Sequence, residues 1–284
     1  PLPHTIAKMG NKIAAIQYMR SLGIPTIPGS DGDIPNNPQQ QQQLAARIGY
    51  PVLLKAAAGG GGRGMCVVHD PSQLSNSIKS LREEAQRLFL DSSIYLEKFL
   101  DNPRHIEVQL IGDLHGNIWH LGTRDCSIQR RRQKIIEEAP AIDIPSDKIS
   151  KLQNICCQAA KDLGYISAGT MEFLYQDGFF YFIEMNTRIQ VEHPISEAVY
   201  NIDLLQKQIE IHNGLRLSSL PVPTPYGHAI ECRINAEHPV TGLPSPGCID
   251  IVHWGTGPGI RIDSPIYTGY AVPHHYDPLI GKVI

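Results

Sequence analysis

The 284-residue chain is 42% hydrophobic and 19% charged, enough apolar content to bury a large core in one large or two ordinary domains. A net charge of −3 gives no global pull toward nucleic acid or an anionic membrane, and no apolar run approaches a membrane span. Six cysteines (Cys66, Cys126, Cys156, Cys157, Cys232, Cys248) make no C-x-x-C pair and show no zinc-like histidine spacing, so they read as reduced thiols of a cytosolic or organelle-matrix protein.

The first predicted helix covers 11–22. Asn11 is its N-cap, Ala15, Tyr18, Met19 and Leu22 share one face, and Gly23 then Pro25 stop it. Lys12 in the first turn opposes the helix dipole unless an anion sits there, and its plain reading is a solvated surface residue. A loop over 29–37 leads to five glutamines at 39–43, read with LAARIG as the exposed start of a helix ending at Gly49. PVLLK (51–55) is a short buried strand. In AAAGGGGRGMCVV, Gly59, Gly61 and Gly64 match G-x-G-x-x-G, yet apolar residues 65–68 follow rather than a helix. The order is strand, glycine loop, strand: a flap over phosphates, with Lys55 as the charge partner. A plain flexible hairpin is the competing reading, and no Walker A sequence occurs.

Residues 73–89 form an amphipathic helix through Leu74, Ile78, Leu81, Ala85 and Leu88, and 93–100, 104–111 and 117–122 read as strands. Glu97, Lys98, Phe99 and Leu100 end a strand where backbone groups offer hydrogen bonds to a planar base. RDCSIQRRRQK (124–134) is a dense basic patch without aromatic residues, which fits a polyanionic small molecule such as a nucleoside triphosphate better than nucleic acid. A helix over 146–163 ends at Gly164.

Two aromatic-rich runs then flank Asp177-Gly178, a hairpin signal. The second alternates for ten residues, with Ile183, Met185, Ile189 and Val191 on one face and Glu184, Asn186, Arg188, Gln190 and Glu192 on the other. A two-residue turn at Asp177-Gly178 puts Glu172 and Glu184 on opposite faces, whereas a three-residue turn, Gln176 to Gly178, makes them same-face diagonal neighbours about 7 Å apart, close enough to share a cation. Oxygen ligands alone, from Glu172, Glu184 and Asn186, favour Mg²⁺ or Mn²⁺ over Zn²⁺. A helix over 196–213 ends at Gly214, and Pro221, Pro223 and Pro225 mark a linker. From Gly227 the chain is β-rich and reads as a second, incomplete domain. Both ends read as cut, so the chain is expected to be a piece of a longer protein.

KAAAGGGGRGM, EKFLDNPRHIEVQ, RDCSIQRRRQK, MEFL, EMNTRIQVEHP and ECRINAE, collinear over nearly the whole chain, closely resemble the biotin carboxylase component of biotin-dependent carboxylases, the acetyl-CoA carboxylase type foremost. The resemblance implies an α+β class: an ATP-grasp fold over 1–214 with a glycine-loop lid at about 27–100, then a truncated β-rich C-terminal domain over 221–284. It implies that an N-terminal Rossmann-like subdomain and the end of the C-terminal domain are lacking. The implied reaction converts MgATP, bicarbonate and biotin to ADP, phosphate and carboxybiotin.

On this resemblance Lys12 and Lys55 are phosphate lysines, Gly61 and Gly62 belong to the flap, and Glu97, Lys98, Phe99 and Leu100 form the adenine hinge. His105, Gln129 and Arg132 lie at the nucleotide with Glu172 and Glu184. Glu172, Glu184 and Asn186 hold two Mg²⁺ or Mn²⁺ ions. Lys134, Arg188, Gln190, Val191 and Glu192 form the bicarbonate pocket with Glu192 as base, and Arg233 stabilises the biotin enolate. Arg132 stands where many relatives have His. The implied partners are a biotin carboxyl carrier protein or domain, a carboxyltransferase and a second copy in a homodimer, with no nucleic acid and no membrane. The competing readings are another ATP-grasp ligase, such as a carbamoyl-phosphate synthetase half, and a non-catalytic nucleotide-binding module.

Overall fold

In the computed structural model, residues 1–59 and 63–284 are described; Gly61 and Gly62 lie outside them. Helix α1 (Pro3–Gly10) leads through Asn11 into α2 (Lys12–Ser21). The Asn11 side chain accepts from the Ala14 amide at 3.0 Å, satisfying a first-turn donor that has no intrahelical partner. Asn37 caps α3 (Pro38–Ile48) in the same way, accepting from the Gln39 and Gln40 amides, and Gly49 ends it at φ +85°. Sequence patterning predicts α2 and α3 but not α1, an eight-residue helix whose Ile6 is exposed.

Next come β1 (Val52–Ala56), β2 (Met65–Val68), α4 (Leu74–Phe89) and β3 (Ile94–Lys98). The three strands form an antiparallel sheet in the order β2-β1-β3, with α4 packed on it. It has its own core of Val52, Leu54, Val68, Leu74, Ile78, Leu81 and Leu96. Leu88, assigned to the apolar face of α4, is exposed. The connector before α3 approaches β3 closely: Gly29 bridges Glu97, and a Cβ on Gly29 would fall 2.5 Å from the Leu96 carbonyl oxygen.

The remaining elements are β4 (Arg104–Gly112), β5 (Ile118–Arg130), β6 (Gln133–Ala139), α5 (Ser146–Asp162), β7 (Ser167–Gln176), β8 (Phe179–Asn186), α6 (His193–Tyr200), α7 (Leu204–His212), β9 (Ala229–Asn235), β10 (Gly247–Cys248), β11 (Ile262–Asp263), β12 (Ala271–Val272) and β13 (Leu279–Val283). Eight of these strands form one antiparallel sheet in the order β11-β13-β9-β6-β5-β4-β7-β8, so strands from beyond the proline linker continue the sheet begun by β4. Helices α2 and α5 cover one face, where Val108, Leu110, Met171, Phe173, Phe182 and Met185 form the core. Phe173 meets Phe180 and Phe182 edge-on, with ring centroids 6.3 and 5.8 Å away, contacts that add about 0.5–1.5 kcal/mol each beyond area burial. Successive strand residues face opposite ways, so His105, Glu107 and Gln109 on β4 and Thr170 and Glu172 on β7 point to the other face, under α6. Among the described residues no helix is long and apolar enough to cross a membrane.

Four sequence expectations are corrected here. The β7–β8 turn has two residues, Asp177 and Gly178, both left-handed at φ +52° and +82°; a bulge at Ile183 then sets Glu172 directly opposite Glu184 rather than diagonal to it. The alternating strand stops at Asn186, and residues 187–192 bend into α6, so Arg188, Gln190 and Glu192 do not share a strand face with Glu184. The helix expected over 196–213 is two helices broken at Asn201, which is left-handed at φ +47°. The basic stretch 124–134, read as one dense patch, is a β-hairpin whose first arginine, Arg124, is fully buried and so is not part of any surface patch.

Candidate active site

Strand register builds the site. Arg124, Glu107, Glu172 and Glu184 occupy facing positions on the adjacent strands β5, β4, β7 and β8. Three buried or half-buried carboxylates in such a row repel unless cations intervene. Arg124 lies beneath them: Nε donates to Glu107 at 2.9 Å, Nη1 to Gln109 at 2.6 Å and Ser196 at 3.0 Å, and Nη2 to Gln190 at 2.9 Å and Thr170 at 3.2 Å. Lys134 from β6 reaches over the row, pairing with Glu107, with Glu192 at 2.6 Å and with Glu172 at 3.3 Å. Burial works against its charge, but these carboxylates outweigh it and raise the Lys134 pKa.

Glu107 is fully buried. Burial alone would raise its carboxyl, yet Lys134, Arg124 and His105 hold it well below the ordinary value. His105 Nε2 lies 2.9 Å from Glu172 and 3.3 Å from Glu107. Burial depresses the imidazole, but these two carboxylates win and lift it to about 9. Glu172 also accepts from Asn186 at 2.6 Å and Gln190 at 2.8 Å. Glu184 pairs with Lys12, and that lysine, then Lys55, holds it below its ordinary value against the effect of burial. Lys55 pairs with Glu97.

Glu192 stands at the head of α6, where a negative charge suits the helix dipole. It is buried between two cations, Lys134 at 2.6 Å and Arg233 at 3.0 Å. Arg233 also donates Nε to Glu137 at 2.6 Å. Lys282 on β13 donates to the Val191 carbonyl at 2.6 Å and so fixes the turn that carries Glu192.

The structure thus brings together Lys12, Lys134, His105, Glu172, Glu184, Asn186, Gln190, Glu192 and Arg233, with Lys55 and Glu97 paired beside them. Other candidates are placed differently. Arg188 is exposed and donates to the Ile189 carbonyl at 3.1 Å rather than to Glu192. Lys98 turns inward to the carbonyls of Gly49 and Tyr50, and the Phe99 amide donates to Pro51 at 3.2 Å. Leu100 follows β3 half-buried. Gln129 is exposed and donates to the Cys126 carbonyl at 2.9 Å. Arg132 lies at the β5–β6 tip with φ +65°, and the same hairpin is tied to a later segment by the ion pair of Arg130 with Glu237. Sequence reasoning missed Glu107, Arg124, Gln109 and Glu137. The signal for the first and third was the polar alternation of His105, Glu107 and Gln109 in RHIEVQLI.

Facing carboxylates at Glu172 and Glu184, with the Asn186 amide beside them, are hard oxygen donors that fit a divalent cation such as Mg²⁺. Their charge is otherwise offset by Lys12, His105 and Lys134. The neighbouring trio His105, Glu107 and Glu172 also has donor atoms within 4.8 Å of one another.

A large antiparallel sheet accompanied by a small three-stranded one, with Lys55 and Glu97 paired on the small sheet, fits the ATP-grasp fold. The sequence model described as "Carbamoyl-phosphate synthase L chain, ATP binding domain" matches residues 11–220, and that of the "Biotin carboxylase C-terminal domain" matches 231–284. The whole chain is 52% identical to a biotin carboxylase of Allochromatium vinosum and 51% identical to one of Pseudomonas aeruginosa, covering 64% of each. It superposes with a TM-score of 0.94 on a biotin carboxylase–β,γ-ATP complex from Campylobacter jejuni, at 48% identity over 98% of this chain and 63% of that one. A second structure, at TM-score 0.94, 44% identity and 99% and 62% coverage, is the biotin carboxylase domain dimer of Hydrogenobacter thermophilus 2-oxoglutarate carboxylase with MgADP, ADP and bicarbonate. The chain belongs to the biotin carboxylase family and spans just under two thirds of the length of these relatives.

Proposed function

We propose that the chain is the ATP-grasp part of a biotin carboxylase, an ATP-dependent ligase that carboxylates carrier-bound biotin with bicarbonate through carboxyphosphate. The observation that carries this reading is Glu192, buried between Lys134 and Arg233 and next to the facing pair Glu172 and Glu184. One carboxylate is thereby positioned to take a proton while the others serve a metal–nucleotide complex. Relatives described with ATP, MgADP and bicarbonate support it.

In this reading Glu172, Glu184 and Asn186 hold Mg²⁺, two ions in all and replaceable by Mn²⁺, which offsets the charge of the ATP phosphates. Lys12 and Lys55 exchange Glu184 and Glu97 for phosphate oxygens. Gly61 and Gly62 close over the phosphates, and Glu97 to Leu100 hold the adenine, with His105, Gln129 and Arg132 along the nucleotide. Arg188, engaged by no ion pair among the described residues, binds bicarbonate with Lys134, Gln190 and Val191. Glu192 accepts the bicarbonate proton, and the freed oxygen attacks the γ-phosphoryl group, releasing ADP. Carboxyphosphate then splits to CO₂ and phosphate, the phosphate takes the biotin N–H proton, and Arg233 holds the enolate until it attacks CO₂. The segments 1–214 and 221–284 act as the ATP-grasp and C-terminal domains. The partners are a biotin carboxyl carrier protein or domain, a carboxyltransferase and a second copy of the chain, in the cytoplasm or an organelle matrix.

The test is ATP cleavage by the intact enzyme with Mg²⁺, bicarbonate and free biotin. Cleavage should require bicarbonate, rise with biotin and transfer labelled carbon to biotin. Cleavage indifferent to biotin but coupled to ammonia would assign the chain to the carbamoyl-phosphate type instead.

A further inference from the structure

Strands β6 and β9 set Glu137 and Glu231 directly opposite each other, both fully buried. Their hydrogen bonding is incomplete. Glu137 Oε1 accepts from Arg233, but its Oε2 and both Glu231 oxygens have no hydrogen-bond partner among the described residues. The charged groups that face them are few and committed elsewhere. Arg233, two residues beyond Glu231 on β9, divides its guanidinium between Glu137 and Glu192. Lys282, opposite Arg233 on β13, donates to the Val191 carbonyl and lies 3.7 Å from Asp263. Lys134, on β6 itself, serves Glu107, Glu172 and Glu192. The turn before α6 adds a further carboxylate, Glu192.

Two carboxylates opposed across a buried sheet, only one of them bonded to an arginine, are strongly disfavoured if both are ionised, whereas a proton between them gives orphaned oxygens an O–H···O bond. We propose that Glu137 and Glu231 hold one proton between them, and that the resulting single negative charge is the fixed counter-ion that positions Arg233. The titration of both groups agrees. Burial pushes Glu137 up to about 7 against the pull of Arg233, with Glu192 adding to the rise. Burial pushes Glu231 up to about 8 against Lys282, with Glu137 adding. With one proton shared between them, the two would titrate as one coupled acid.

The consequence is an asymmetric hold on Arg233. Glu137 keeps Nε, so an arriving anion competes with Glu192 for the outer nitrogens and leaves the guanidinium plane in place. Glu137 and Glu231 are positioning residues. Their effect on biotin rests on the carboxylation reading above; the shared proton does not.

Infrared spectroscopy of the intact enzyme tests the proton directly. The wild type at pH 6.5 should show a buried carboxylic-acid C=O band that bleaches between about pH 7 and 9, following the coupled titration. Glu231→Gln should abolish it. Glu137→Gln should shift its frequency, because the amide replaces a carboxylate partner, and it decides the matter if Glu231→Gln fails to fold. Identical carboxylic-acid bands in wild type and variants would overturn the pair. For the positioning role, Glu137→Gln should raise KM for free biotin about tenfold, the loss of one charge-assisted hydrogen bond, and KM for ATP by less than about twofold. Equal rises in both would overturn positioning. A band without carboxybiotin formation would refute the catalytic reading and leave the pair, while carboxybiotin without the band would do the reverse.

Discussion

Among the facing carboxylates of the large sheet, the two pairs in which both members are buried have opposite electrostatics. Glu107 faces Glu172 across β4 and β7, and Glu137 faces Glu231 across β6 and β9. All four are buried. Around the first pair stand Arg124, Lys134 and His105, together with the amides of Asn186 and Gln190, and Glu107 is held well below its ordinary pKa. Around the second stand Arg233, which bonds Glu137 but not Glu231, and a Lys282 engaged elsewhere, and both carboxyls rise. Register brings acids together in each case. The number of cations delivered by neighbouring strands decides whether a buried acid is held below its ordinary pKa, as Glu107 is, or pushed above it, as Glu137 and Glu231 are.

Glu192 links the two pairs, through Lys134 on one side and Arg233 on the other, so its removal gives the largest effect. Glu192→Gln keeps the shape but accepts no proton. Bicarbonate-dependent ATP cleavage should fall about 10²–10⁴-fold with nucleotide binding nearly unchanged. Steady-state rates and nucleotide titration check it, and a parallel loss of ATP affinity would make the residue structural. Arg124→Met, next in size, starves the first pair of its buried cation. Breaking a buried pair from one side should cost about 3–5 kcal/mol in urea unfolding, because Glu107 is left buried and short of charge. A variant of normal stability would show that Lys134 alone balances Glu107.

Glu184→Gln is a milder change, since Glu172 and Asn186 remain. The Mg²⁺ concentration for half-maximal turnover should rise about tenfold, the effect of removing one charged ligand from a site that also uses phosphates. An unchanged Mg²⁺ requirement would remove Glu184 from the metal set.

The first pair was half legible in the sequence and the second was not. Glu172 and Glu184 were placed on one face correctly but for the wrong reason. A three-residue turn and a one-residue bulge shift strand parity equally, so alternation alone cannot separate them; the bulge at Ile183 makes the two residues opposite rather than diagonal. The alternation past Asn186 was accidental, because Gln190 and Glu192 are buried by the turn into α6 and not by a strand. The helix cap at Asn11 is readable in the sequence since a cap is a local event, whereas Asn37, read as the end of a loop, is a cap only in the structure. Arg124 looked like one member of a basic run until β4 and β7 closed around it. Glu137 and Glu231 sit far apart in the chain, and nothing local announces that β6 and β9 pair.

The smallest expected effect tests the second pair through stability, and its sign separates the two regions. Glu231 has an ordinary value of 4.5 and a folded value of about 8, so the folded protein keeps a proton that the unfolded chain releases. Stability therefore declines as pH rises from the unfolded value through the folded one, and levels off above it. His105 acts in the same direction over an overlapping window. Its folded value is raised from 6.5 to about 9, so its contribution is complete below 6.5 and is lost as pH rises through 9. The raw slope of the wild type thus mixes the two regions, but Glu231→Gln removes one term and leaves His105 in place. Between about pH 7 and 8.5 the variant should lose less stability than the wild type, by on the order of 1–2 kcal/mol, in paired urea titrations. Parallel curves would mean that Glu231 is ionised throughout and that the two acid pairs do not differ as their cation supply requires.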